Sequence, residues 1–131
     1  MTVRHSIYRR STTGGHSGLA ALVARRCYPM RLPADAQMPA LTYRVVSSPP
    51  SSYRDHDGSP DRWMFRVQLD GWAATPDAAA ALGEQMFLAF EGWSSGTAVG
   101  ACHVAGGPIE DYDTAMDQCR VIIDVLVDHK L

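Results

Sequence analysis

The chain is poor in cysteine. Its three cysteines, Cys27, Cys102 and Cys119, are odd in number and show no Cys-x-x-Cys spacing. That pattern argues against a disulfide framework and fits a reducing compartment. Long apolar runs are absent too. None approaches the roughly 20 residues that cross a bilayer, so no membrane contact is expected. The apolar run at 19–24 imitates a secretory leader, but Arg25 and Arg26 follow it at once. Arg9-Arg10 precede no hydrophobic region. Neither general nor twin-arginine export is expected, and the chain reads as cytoplasmic when made. Charged residues amount to 20% against 46% hydrophobic, a balance too apolar for a disordered chain. At 131 residues one domain over 1–131 is expected, able to bury roughly two thirds of its unfolded surface.

Reactive constellations are also missing. His5, His16, His56, His103 and His129 include no i, i+4 or His-x-His pair. Cys102 and His103 are neighbours, but neighbours on a strand point to opposite faces and rarely share one metal ion. No nucleophile elbow, phosphate loop or dinucleotide fingerprint is present. Gly14-Gly15 and Gly106-Gly107-Pro108 read as turn glycines, and the acidic run at 110–113 reads as a solvated loop without calcium-loop spacing. A nucleophilic pair brought together only in space would leave no trace here. The residues themselves offer no catalytic group, no cofactor and no metal.

What is present is scaffold. Trp63, Phe65, Val67 and Leu69 alternate with Met64, Arg66, Gln68 and Asp70, giving a strand with one apolar and one wet face. Thr75-Pro76-Asp77 then supply an N-cap oxygen, a proline preset for the first helical position and an acid at the positive helix end. This main helix, over about 75–92, presents Ala78, Leu82, Met86, Ala89 and Phe90 at helical spacing, with Gly92 as its C-terminal cap. Residues 1–16 resist assignment, because 11–15 break any helix that 4–10 begin. Ser17 caps a short helix, ended at Tyr28-Pro29. Strands are expected over 40–46, 62–70, 98–104 and 118–129. The stretch 47–61, with Pro49, Pro50, Gly58 and Pro60, reads as a long hairpin loop. The expected fold is α+β: a small antiparallel or mixed four-stranded sheet packed against the main helix and a short N-terminal helix.

Charge is polarised. Residues 1–31 carry six arginines and no acid, whereas 110–131 carry six acids against Arg120 and Lys130. Three readings remain open: subunit pairing of basic end to acidic end, contact of the arginines with DNA phosphates, or a solvated basic N-terminus. On the closing strand, Ile122 and Leu126 share a face with Asp124 and Asp128, so that face is partly apolar and suited to cover by another surface. Trp63 reads as core, and Trp72, beside Asp70 on the wet face, as an interface anchor. The candidate interface residues are Arg25, Arg26, Tyr53, Arg54, Trp72, Asp111, Tyr112 and Asp124.

Taken in order, the segments resemble a known family. Residues 22–29 look like its Arg-x-Tyr-Pro helix end, and 38–43 like its Leu-Pro-x-x-x-Tyr strand. Residues 62–72 followed by 75–78 look like its Arg-x-x-Val-Gln-Val-Asp-x-Trp strand and Ala-rich helix, and 112–127 like its closing strand. The family is the tail-completion, or tail-terminator, proteins of long-tailed bacteriophages, prophages and gene-transfer agents. The likeness covers roughly residues 17–129. The Arg-bearing N-terminus and proline-rich hairpin tip depart from the pattern.

The resemblance implies a non-enzymatic virion assembly protein at the head–tail junction. It would be a homo-oligomeric, commonly hexameric, ring that caps the head-proximal end of the tail tube and ends tube polymerisation. Its partners would be copies of itself, the tail tube protein and the head connector or head-closure protein. DNA would cross the lumen without sequence-specific binding, so few of Arg9, Arg10, Arg25 and Arg26 are expected to face inward. Two alternatives stand beside it: a head-closure or connector subunit of the same particle, and a small ligand-binding or enzymatic α+β domain.

Overall fold

The structure, a computed structural model, describes residues 2–47, 62–96 and 98–130. The elements run α1 (Val3–Ser11), α2 (Ser17–Val23), β1 (Cys27–Pro29), β2 (Ala40–Ser47), β3 (Arg62–Ala73), α3 (Pro76–Phe90), β4 (Val99–Asp113) and β5 (Gln118–Lys130). The strands form one sheet in the order β1-β2-β3-β5-β4. β1 runs parallel to β2, and every other pairing is antiparallel.

Register decides which residues share a face. Leu41, Gly71 and Val121 lie in one cross-strand row, Tyr43, Leu69 and Ile123 in the next, and Val45, Val67 and Val125 in a third. These rows pack with Val3 and Ile7 of α1, Leu19 and Val23 of α2, and Leu82, Met86, Ala89 and Phe90 of α3 in one cluster. All three helices therefore cover the same sheet face. The helix over 76–90 forms as its cap predicts: the Thr75 hydroxyl accepts from the Ala78 amide at 3.2 Å and Pro76 opens the first turn. Gly71 lets it sit close, since a Cβ there would lie 2.7 Å from both Leu82 Cδ2 and Met86 Sδ.

The four-stranded expectation is corrected. Among the described residues the sheet has five strands and is mixed, and three helices cover it. β1 escaped because three residues ending in proline carry no readable alternation. α1 escaped because Val3 and Ile7 are the only apolar residues among its four buried positions, the others being Ser6 and Ser11, and a pair of apolar residues is too short a pattern for a periodicity argument. β4 is also longer than the expected 98–104 strand. It continues through Gly106-Gly107-Pro108 by shifting register against β5, at 104/106 and again at 106/109, so the glycines and the 110–113 acids belong to a strand rather than a loop.

α1 is fastened by a buried histidine. The Ser6 hydroxyl bonds His129 Nε2 at 2.8 Å, and His129 Nδ1 donates to the Lys130 carbonyl at 2.7 Å. With Nδ1 holding the proton, Nε2 accepts from Ser6, which is the neutral tautomer. Burial, first of all, lowers the His129 pKa below its usual value. His16, whose Nδ1 accepts from the Leu19 amide, is lowered by burial and by Arg10. A depressed histidine means that the unfolded chain binds more protons, so stability is complete above about pH 6.5 and declines as pH falls through that value. Urea midpoints measured from pH 7.5 to 5.5 are expected to fall, and H129Q to flatten that slope. An equal slope in H129Q contradicts the assignment.

Candidate assembly interface

The sheet face away from the helices is built from the wet side of β3 and β5. Register puts Trp72 opposite Arg120, Asp70 opposite Ile122, Gln68 opposite Asp124 and Arg66 opposite Leu126. Opposite charges then meet across strands, where such pairs are worth roughly 0.2–1 kcal/mol each. Arg66 meets Asp124 at 3.4 Å, and Arg62 holds Asp128 at 2.9 Å. Arg120 is the hub. It lies 2.7 Å from Asp111 and 3.7 Å from Asp70, and its guanidinium carbon sits 5.5 Å from the centre of the Trp72 ring. The Arg120 hydrogen bond holds the Asp111 carboxyl below the usual carboxylate range. Trp72 Nε1 donates to the Thr42 hydroxyl at 3.0 Å, leaving the ring 7% exposed beneath Arg120.

The sequence-predicted residues that the structure describes fall into three groups. Trp72, Asp111 and Asp124 come together on this face; Trp72 is enclosed by its own chain, and Asp124 is paired with Arg66. Tyr112 is 52% exposed near the turn between β4 and β5, and its hydroxyl bonds Asp117. Arg25 and Arg26 stand apart, just before the edge strand β1. Arg25 is exposed, whereas Arg26 donates to the carbonyls of Pro39 at 2.8 Å and Leu22 at 2.9 Å, pinning the chain into β2. Tyr53 and Arg54 lie outside the described residues, as does the stretch 48–61. Sequence reasoning missed Arg120. The available signal was parity: alternation places Arg120 with Ile122 and Asp124, and Trp72 with Asp70 and Gln68, but only register joins the two sets.

Burial pushes the Cys27 and Cys102 thiols up to about 12, far from thiolate reactivity at neutral pH. Among the described residues no group of three or more His, Cys, Asp or Glu is placed to hold a metal ion, and no helix is long and apolar enough to cross a membrane. Large apolar side chains, by contrast, stand in solvent: Ile109, Tyr112 and Met116 around the β4–β5 turn, Met30 after β1, and Phe87 and Leu88 on α3. Where such groups lie together, as around the β4–β5 turn, they suit contact with another surface; scattered singly they are ordinary.

The family model described as tail completion protein gp17 matches residues 11–128. No curated protein matches the chain.

Proposed function

We propose that this chain, which belongs to the tail completion protein gp17 family, assembles as a ring on the head-proximal end of a phage tail tube. Membership makes it a structural component of a phage tail and hence of the virion. The ring, the arrest of tube growth and the joining surface for the head are the proposal, and the family match over residues 11–128 carries it.

The surface supports it. A ring needs a heterologous contact, in which one patch meets a different patch on the next copy. Exposed Met30 and the Ile109, Tyr112 and Met116 group offer two unlike patches. Binding at this junction is expected to leave the DNA path free of most arginines, because a basic lumen would hold phosphates and slow their transit.

Deleting the gene from its phage tests the reading. The expected particles are filled heads beside unjoined tails of irregular, excess length. Tails of normal length that still fail to join heads would move the chain to head closure. Normal virions would remove it from assembly.

A further inference from the structure

The two ends of the sheet are edges of unlike character. Among the described residues β1 forms one edge and β4 the other. The first half of the β4 edge is covered by its own chain. Glu91 Oε2 accepts from the Val104 amide at 2.8 Å, the Gly92 amide donates to the Cys102 carbonyl at 2.9 Å, and the Ser95 hydroxyl accepts from the Val99 amide at 2.8 Å. Past the bulge at Gly107, residues 109–113 pair with β5 on one side only. Among the described residues no strand pairs with their other side. An uncovered strand edge is a ready surface for another chain.

Charge distinguishes this edge from the opposite one. Of the C-terminal acids, Asp124, Asp128 and Asp111 are matched by Arg66, Arg62 and Arg120. Glu110 and Asp117 have no cationic partner among the described residues, Asp113 makes no ion pair although it lies close enough to Arg120 to raise its pKa, and all three lie on the open half of β4 or its turn. At the far edge, Arg25 and Arg31 flank β1, are exposed, and make no side-chain hydrogen bond or ion pair among the described residues. Apolar surface follows the same division. Ile109 (58% exposed), Tyr112 and Met116 accompany the acids, and Met30 (68% exposed) lies between β1 and Arg31.

We propose that neighbouring copies join edge to edge, the open half of β4 in one copy seated against β1 and its arginines in the next. The inference rests on the ring reading above. It gives that ring its direction, because an acidic edge cannot meet a second acidic edge and a basic edge cannot meet a basic one. Like-charge juxtaposition suppresses the wrong pairing, and opposite charge fixes the register of the right one. The basic start and acidic end of the sequence thus become the two sides of one seam.

The test uses reversed charges on the full chain, read as copies retained on purified tail-tube ends by negative-stain imaging and mass. R25E/R31E makes both edges acidic, and E110K/D113K makes both basic. Each variant alone is expected to lose assembly by about tenfold or more, with its thermal midpoint near that of the parent chain. An equimolar mixture is expected to recover rings, since the acidic edge of one variant then meets the basic edge of the other at every seam. Asp113 also accepts from the Met116 amide at 2.9 Å, so if E110K/D113K melts early, E110K paired with R25E replaces it. Rings formed equally by both variants, or a mixture that fails to recover, overturn the edge pairing while the ring reading stands. A parent chain that forms no ring on tube ends overturns both.

Discussion

Replacing Gly107 with valine is expected to cost the fold about 2–4 kcal/mol and to abolish assembly. Gly107 sits at φ +90°, where a β-branched residue is strained in any surroundings. It also lacks room: a Cβ would fall against the Ile122 carbonyl oxygen, well inside van der Waals contact, and 3.1 Å from Ile123 Cα. Both are backbone atoms of β5 and cannot swing aside. The strand must move, and everything after the bulge moves with it, including the edge residues 109–113. Gly14 is the matched control, at φ +93° with nothing within 4 Å of a Cβ, so G14V carries the same β-branched backbone strain without a Cβ collision. Thermal melting of the two variants separates the terms. A G107V midpoint equal to that of G14V would show that β5 yields and that the bulge does not fix the edge.

Truncating Phe90 to alanine is expected to remove about 3–5 kcal/mol, a large share of the roughly 5–15 kcal/mol that holds a domain of this kind together. Phe90 is fully buried and meets Trp93 edge-on with ring centres 5.7 Å apart. The Trp93 ring in turn lies 5.6 Å below the Arg10 guanidinium, and Arg10 Nε donates to the Ala89 carbonyl at 2.7 Å. Losing the Phe90 ring leaves a cavity and unseats the tryptophan through which α1 is tied to α3. F87A provides the contrast. Phe87 lies on the same helix at 38% exposure, and its loss is expected to stay within about 1 kcal/mol. Urea unfolding reads both, and similar midpoints for the two variants would contradict the placement of Phe90 at the centre of the core.

Some of this was legible in the chain. The β3–α3 unit could be read because two independent signals agreed there: period-two alternation over 63–70 and a Thr-Pro-Asp cap at 75–77. β5 could be read from Val121, Ile123, Val125 and Val127. The extension of β4 could not, since a strand that crosses Gly-Gly-Pro contradicts every local rule and survives only because bulges absorb the glycines. β1 exists only because β2 lies beside it, and neither edge of the sheet can be named before register is known. The interface candidates show the same division. Trp72 drew notice as a bulky group on a wet face, but whether it meets a partner or its own chain depended on Arg120, which is distant in sequence. Arg25 and Asp111 were visible as charge, though not as opposite sides of one sheet.

On the proposed reading, this chain acts by joining copies of itself at the end of a tail tube. The most direct measurement adds purified chain to growing tubes of its own phage and follows tube length while imaging the ends. A ring of several copies on one end of each tube and arrest of growth at that end are expected. Tubes that keep lengthening, with the chain free in solution or scattered along their sides, would contradict it.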